Sequence, residues 1–352
     1  GVRVEDWLQR NPIRTAMTMM NHHQRLEAAL RGLPTDRAPV ALWRHFPVDD
    51  QSPDKLVAHT LAWQAQWDFD LVKFMPSGTY SVEDWGAVSA YRGTANGTRE
   101  VIQPAVTCAR DWLNLRDLDV RQGSYGRQNQ ALATTVKALR GSVPLLQTVF
   151  SPLTTACKMA GERLFSDLRQ SPQALEHALR IITDVTCRFA LDAIDNGADG
   201  IFFATQLASH RLLGVADYEH FGRRFDLEVF AALRGKARFN MLHAHGDDIM
   251  FDLLAAYPAD MLNWHDRLTE PGLREAGRRF PGLLVGGLSE HGTLLHGSEA
   301  EIEAQVHEAL SQTDGRRLMI APGCVLPVAA RDPSIRAVVQ ATHSFRDQAV
   351  HA

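Results

Sequence analysis

Three observations predict an α/β fold, and within that class a (β/α)8 barrel. Short apolar runs alternate with amphipathic stretches, the runs number eight, and polar or metal-capable residues gather just after the runs. Strands that alternate with helices indicate βαβ units and a parallel sheet. Eight such units close into a barrel that takes about 250 residues. A chain of 352 residues therefore leaves room for additions.

Each run is short and apolar on both faces, which is typical of strands in a covered parallel sheet. The predicted strands are 38–44, 70–75, 143–150, 200–205, 239–244, 260–264, 283–288 and 317–322. The predicted helices are 54–67, 129–140, 173–196, 216–234, 247–256, 270–279, 298–312 and 333–346. Helix 173–196 shows the signals well, because a Ser-Pro pair precedes it and Gly197 follows it.

Two regions hold the additional residues. Residues 1–21 are expected to form an N-terminal tail or helical extension, ahead of one barrel domain over 22–350. The long link 76–128 contains "ANG" between alternating segments, which predicts a β-hairpin excursion after the second strand. The alternative is an open doubly wound sheet. No GxGxxG or Walker sequence follows a predicted strand, which argues against a nucleotide-binding protein with a doubly wound sheet.

Composition excludes several classes of protein. Hydrophobic residues make up 45% and charged residues 22% of the chain, and both signs are spread along it for a formal charge of -4. No basic block indicates nucleic acid, and no apolar run approaches the roughly 20 residues of a membrane helix. We expect a cytoplasmic protein, because no secretory signal is evident and Cys108, Cys157, Cys187 and Cys324 form no CxxC pair.

The predicted barrel places its chemistry at the carboxyl ends of the strands. Polar side chains cluster there, which predicts an enzyme acting on a small molecule. In chain order these residues are Arg44, His45, Lys73, Ser151, Thr154, Gln206, His243, His245, Trp264, His265, Asp266, Glu290, His291 and Cys324.

The strongest signal is His243, His245 and Cys324. Residues i and i+2 of a strand point the same way, so the two imidazoles could hold one ion. A thiolate from another strand end would complete the three protein ligands typical of catalytic zinc. The alternative is that all three are ordinary polar strand-end residues. Asp247 and Asp248 are expected to cap helix 247–256, or to orient the imidazoles.

The remaining residues suggest substrate contacts and proton transfer. Arg44, His45 and Lys73 could orient an anionic group, although an ion pair or a solvated ammonium would explain them equally. Trp85 and Trp264 could form an apolar wall, although Trp85 could equally pack in the core, and Gln206 could add a polar contact. His265, Glu290 and His45 are the candidate acid-base groups. His265 could pair with Asp266, and Glu290 or His291 could be a fourth ligand.

From about residue 22 to 347 the chain resembles the uroporphyrinogen decarboxylase superfamily, whose members are (β/α)8 barrels. The resemblance rests on the order of several segments: "HHQRLEAALRGLPTDRAPVALW", "FDLVKFMPSGTYSVEDWG", "SPLTTACKMAGER", "LLGVADYEHFGRRF", "GGLSEHGTLLHGSEAEIEAQVHEAL" and "APGCVLP". The decarboxylases resemble one another in an "RQAGRY" stretch and in an Asp after the second strand. This chain has "WRHFPVDD" and "KFMPS" there, and Cys324 where they carry a His, so uroporphyrinogen is a poor candidate substrate.

The closer match is to the zinc methyltransferase branch, which carries His-x-Cys after the fifth barrel strand and a Cys in "PGC" after the eighth. His243 and Cys324 match, and His245 replaces the first Cys. The resemblance implies Zn²⁺, a thiol that takes a methyl group from a methylated corrinoid protein or a folate carrier, and a homodimer. It predicts a zinc-dependent methyltransferase or demethylase acting on a small methylated or substituted compound.

The His245 substitution keeps other functions open. An imidazole in place of a thiolate makes the site one unit more positive, which favours activation of an oxygen or water. A zinc-assisted lyase or hydrolase is therefore the second hypothesis for the function. The third hypothesis is a barrel that binds a corrinoid or tetrapyrrole without turnover.

Overall fold

The computed structural model describes residues 18–345. Residues 1–17 of the predicted tail and the last residue of predicted helix 333–346 lie outside this range, so the boundary at residue 21 stays a prediction. Within the range the chain forms nine strands, listed here in chain order: β1 Val72–Phe74, β2 Val88–Tyr91, β3 Arg99–Gln103, β4 Leu145–Phe150, β5 Gly200–Thr205, β6 Met241–Ala244, β7 Met261–Trp264, β8 Leu283–Leu288 and β9 Leu318–Pro322.

Helices follow most strands and cover the outside of the sheet. They are α1 His22–Leu30, α2 Pro53–Trp67, α3 Tyr80–Glu83, α4 Ala109–Leu113, α5 Gly123–Leu139, α6 Pro152–Ala160, α7 Arg163–Gln170, α8 Pro172–Asp195, α9 Val215–Tyr218, α10 Arg224–Leu233, α11 Phe251–Ala255, α12 Leu273–Arg279, α13 Thr293–His296, α14 Glu299–Gln312 and α15 Asp332–Ser344. A 3₁₀ turn (Asp49–Gln51) precedes α2, and a π-turn (Glu219–Arg223) joins α9 to α10.

Seven strands form one parallel sheet in the order β1-β4-β5-β6-β7-β8-β9. Neighbouring strands are consecutive apart from the excursion after β1, as in a (β/α)8 barrel. The excursion is the predicted antiparallel hairpin, β2 paired with β3. Residues on β4 and β5 are buried throughout, because α6 and α8 cover the outer face of this part of the sheet. The sequence-based fold class is confirmed.

The first predicted strand, 38–44, is wrong as a regular strand. Segment 39–43, here called the seam, forms a single bridge from Val40 to Ile320 of β9. Ala41 donates to the Ile320 carbonyl at 3.0 Å, and Ile320 donates to the Pro39 carbonyl at 2.9 Å. Pro39 has no N–H to add to a ladder, and the Asp70 carboxylate accepts from the Val40 N–H at 2.8 Å. The seam therefore closes the barrel with few backbone bonds.

Buried ion pairs fix the seam and α1 to the start of β1. Asp70 is fully buried and lies 2.8 Å from Arg25 and 2.7 Å from Arg37. Despite burial, its hydrogen bond to His22 and the charges of the two arginines lower the pKa of Asp70 to about 2. The carboxylate is therefore ionised where it accepts from the seam.

The predicted start of helix 247–256 is also wrong. Helix α11 begins at Phe251, and no side chain caps it. The preceding turn bends through Gly246 and Asp248, whose φ angles are 106° and 48°, and this left-handed backbone cannot continue into a helix. Asp247 instead pairs with Arg211 at 2.9 Å. No helix in residues 18–345 has the length and apolar character needed to cross a membrane.

Candidate metal centre

Four of the sequence-predicted site residues converge at the carboxyl edge of the sheet. His243 lies near the end of β6 and His245 directly after it, while His265 follows β7 and Cys324 follows β9. Parallel strands end at the same edge, and their last side chains meet above the barrel. The strand register brings His243 beside Asn263. The local fold therefore places these groups around one point.

His243, His245 and Cys324, called here the His–His–Cys cluster, offer three ligand atoms that all lie within 4.8 Å of one another. Cys324 Sγ is 3.6 Å from His245 Nδ1. Zinc bonds of about 2.3 Å to sulfur and 2.0–2.1 Å to nitrogen at a tetrahedral angle separate the two donors by about 3.5 Å. The cluster therefore has the donor types and the spacing that zinc takes in proteins.

Asn263 orients one ligand of this cluster. Its Nδ2 donates to the carbonyls of Val285 and Pro322, both at 2.9 Å. Its Oδ1 is therefore the acceptor facing His243 Nδ1, at 2.6 Å. A metal-binding imidazole generally has such a partner on its other nitrogen.

A second pair of titratable groups adjoins the cluster. His265 Nε2 is 3.3 Å from His245 Nδ1, and His265 Nδ1 is 3.3 Å from Glu290 Oε1, although that second contact lacks hydrogen-bond geometry. Glu290 Oε2 accepts from the Gly323 N–H at 3.0 Å, one residue before Cys324. The carboxylate thus faces His265 and holds the loop that carries the thiol.

Burial keeps the cluster uncharged in the absence of a cation. It lowers the pKa of His243 well below its ordinary value and that of His245 to about 4. It also raises the pKa of the Cys324 thiol to about 11. A divalent cation would reverse the last effect, because a coordinated thiol loses its proton. Neutral imidazoles are the form that binds metal.

The cluster opens into a cavity of about 300 Å³, a volume that suits a small organic molecule. The predicted residues His45, Lys73 and Gln206 line the same cavity. His45 is buried with an unpartnered Nδ1, and burial together with nearby cations lowers its pKa to about 3. It is therefore a neutral hydrogen-bonding group at neutral pH.

The predicted aromatic wall is made by other residues. Trp264 is fully buried, donates to the Pro271 carbonyl and packs on Phe251, so it lies in the core. Successive strand residues face opposite sides of a sheet, so Trp264 points outward where Asn263 points in. Trp85 donates to the Arg116 carbonyl and does not line the cavity. Trp43, Phe150 and Phe202 form the wall instead.

Several rim residues also lie outside the cavity. Arg44 turns back to donate to the His45 carbonyl and lies over Phe46. Asp266 accepts from the Gly287 N–H at 2.9 Å and lies 3.8 Å from the Arg267 guanidinium. His291 is exposed, so Glu290 alone of that pair reaches the centre.

The sequence analysis did not predict several of the cavity residues, among them Asn96, Arg99 and Lys158. Asn96 and Arg99 belong to the hairpin, whose fold over the barrel mouth has no local sequence signal. Lys158 had one, since it is the lone charge in the otherwise uncharged helix α6, "PLTTACKMA".

Known proteins with similar sequences are methyltransferases. The methylcobamide:CoM methyltransferase MtaA of Methanosarcina barkeri is 26% identical over 343 residues, covering 91% of this chain and 97% of its own. MtbA of Methanosarcina mazei, of the same description, is 21% identical over 352 residues, covering 94% of this chain and 100% of its own.

Solved structures and family models agree on the fold. A methyltransferase from Methanosarcina mazei superposes with a TM-score of 0.79 at 21% identity, covering 93% of this chain and 99% of that one. The uroporphyrinogen decarboxylase (URO-D) family model matches residues 21–345, which is nearly the whole chain. With its seven parallel strands and the seam in the place of the eighth, the chain belongs to the uroporphyrinogen decarboxylase family.

Proposed function

We propose that the protein is a zinc-dependent methyltransferase or demethylase acting on a small methylated or substituted organic compound. The observation that carries the proposal is the His–His–Cys cluster, with its ligand atoms within 4.8 Å at the rim where barrels of this type place their chemistry. The methylcobamide methyltransferases aligned over most of the chain support the reaction class.

In this proposal His243, His245 and Cys324 hold the ion and leave a fourth position for a molecule in the cavity. Bound there, zinc lowers the pKa of a coordinated thiol or water and so supplies a nucleophile near neutral pH. A methylated corrinoid protein is the proposed methyl donor or acceptor, and a folate carrier is the other candidate.

The chain's own groups position the reactants and move protons. Asn263 holds the His243 ring, and Glu290 holds the loop of Cys324 through the Gly323 N–H. His265 stands between His245 and Glu290 and is the proposed proton carrier. Gln206 and neutral His45 offer hydrogen bonds to the substrate, and the aromatic wall excludes water.

Metal analysis of the purified protein tests the proposal. We expect an equimolar amount of zinc, lost in His243→Ala and in Cys324→Ala but retained in the control His291→Ala, whose side chain is exposed. Methyl transfer between a methylcobamide and a small thiol should be lost in the same two variants. Protein that carries no zinc, with a metal content indifferent to both substitutions, would refute the proposal.

A second candidate is a zinc-assisted lyase or hydrolase on the same site. The contact of His265 with both His245 and Glu290 favours it, because water activation needs a proton acceptor beside the ion. His245→Cys separates the candidates, since a second thiolate makes the site less positive. A methyltransferase should transfer methyl to a thiol at least as fast in this variant. A hydrolase should release product without any acceptor, and more slowly in the variant.

A further inference from the structure

The cavity beside the cluster carries positive charge that no carboxylate in its lining balances. Among the described residues that line it, Lys73, Arg99 and Lys158 are cationic, and none is Asp or Glu. The whole chain has a formal charge of -4, so the local excess is a property of this site. A concave site lined by one sign of charge concentrates ions of the other sign.

Lys73 is poorly satisfied by the protein. Its side chain is only 9% exposed, yet its Nζ donates to the thioether sulfur of Met75, a weak acceptor, and lies 4.3 Å from the Phe202 ring centre. The same ring stacks on His243 at 5.2 Å. Lys73 therefore stands close to the cluster with hydrogens to donate.

Lys158, on helix α6, has a similar environment beside the neighbouring strand β4. Its Nζ lies 4.3 Å from the Phe150 ring centre, and within residues 18–345 it has no ion-pair partner. Burial lowers the pKa of Lys73 to about 7 and that of Lys158 to about 8, and the neighbouring groups that oppose this are thiols, not carboxylates. Holding two charges here without a partner is costly, and a bound anion would remove the cost.

The hairpin adds groups of the same kind at the mouth. Ser89 holds Arg99, because its Oγ and carbonyl accept from the guanidinium at 2.9 and 2.7 Å. The carboxylate that interacts with the Arg99 charge, Asp50, does not line the cavity. The Asn96 amide also lines the cavity, and its Nδ2 is a further donor. The two lysines, Arg99 and Asn96 thus give one wall of the cavity many hydrogen-bond donors. The His–His–Cys cluster forms another wall.

We propose that the substrate is a small organic acid whose carboxylate, sulfonate or phosphoryl group is bound by Lys73 and Lys158, with its reacting atom directed at the His–His–Cys cluster. Arg99 and Asn96 on the hairpin complete the anion site. What reacts at the cluster rests on the proposed function, but anion binding can be measured without turnover or metal.

Calorimetric titration with malonate and with inorganic phosphate tests the anion site, and malonamide is the uncharged comparison. We expect both anions to bind, malonamide not to bind, and added KCl to weaken binding. Lys73→Met and Lys158→Met should each weaken binding about tenfold or more, since a hydrogen bond to a charged group contributes about 1.5–3 kcal/mol. Lys137→Met, at an exposed lysine of α5, should bind as the natural protein does.

The titrations are repeated after zinc is removed by a chelator. Retained binding places the anion on the lysines. Binding that disappears with the metal and is indifferent to the lysine substitutions would overturn the proposal, as would equal affinity for malonate and malonamide. Melting temperatures show whether each variant is folded. Loss of methyl transfer with anion binding intact would count against the proposed function alone.

Discussion

Asn263 fixes which nitrogen of His243 carries the proton. Because the Asn263 amide group spends both donors on strand carbonyls, its oxygen accepts from His243 Nδ1 at 2.6 Å. The bare Nε2 of His243 is then the atom available to a metal. Asn263, on the neighbouring strand β7, thus determines which nitrogen of His243 faces the other two residues of the cluster without a proton.

Replacing Asn263 should therefore weaken metal binding without removing a ligand. We expect Asn263→Leu to lower zinc affinity by about 10–100-fold, the usual effect of losing such a partner. Competition with a chromogenic chelator measures it. Asn240→Leu is the matched control, since Asn240 is a buried Asn before the other end of β6. Equal zinc affinities in the two variants would contradict this role.

Glu290 should affect turnover more than metal content. Glu290→Gln keeps an acceptor for the Gly323 N–H but removes the carboxylate facing His265. We expect zinc to stay bound and kcat to fall about 10²-fold or more, the range for lost acid-base groups. Glu275→Gln, on the surface of α12, serves as control. Unchanged kcat in Glu290→Gln would remove Glu290 from the mechanism.

The buried Lys73 ammonium should lower the free energy of unfolding when no anion is bound beside it. Its folded pKa of about 7 is below its ordinary 10.5, so the unfolded chain binds more protons between these values. The stability of the natural protein should then rise as pH increases from 7 to 10.5. Lys73→Met should raise the melting temperature at pH 7, with a gain that shrinks towards pH 10.5. A constant difference across this range would show that the ammonium is not penalised.

Asp226, which does not line the cavity, gives a pH effect of the opposite sign. Its Oδ2 accepts from Tyr218 at 2.9 Å and Tyr257 at 2.7 Å, while Oδ1 is buried without a partner. Burial raises its pKa from 3.8 to about 7. The folded state thus binds more protons between pH 3.8 and 7, so stability falls as pH rises through this window.

Asp226→Asn should remove this fall, because the amide oxygen can still accept from the tyrosines. Urea unfolding should find the variant more stable than the natural protein at pH 8, with the advantage lost at pH 5. Asp184→Asn, on the exposed side of α8, should leave the profile unchanged. A variant that is less stable at both pH values would indicate that the ionised carboxylate stabilises the fold.

The parts of the site that were predictable depend on strand ends. Apolar runs locate β6 and β9, and parallel strands end together, so His243, His245 and Cys324 could be expected to meet.

Other parts of the site were not predictable. Trp264 was wrongly predicted to line the cavity, because a shift of one residue decides whether a strand side chain faces the cavity or the helices. Arg99 and Lys158 reach the cavity through a hairpin fold and a helix orientation that only tertiary packing decides. The seam departed from strand form because Pro39 lacks a donor and Asp70, distant in sequence, takes the Val40 N–H.

The seam also sets when the fold can be completed. Segment 39–43 is synthesised before the sheet strands, but its partner β9 is the last strand of residues 18–345. Until then the seam and the newest strand each present an unpaired edge, which is a template for pairing with other chains. Cys324 follows β9, so the cluster also lacks its thiol until that moment. Barrel closure and assembly of the His–His–Cys cluster are therefore late events in biosynthesis.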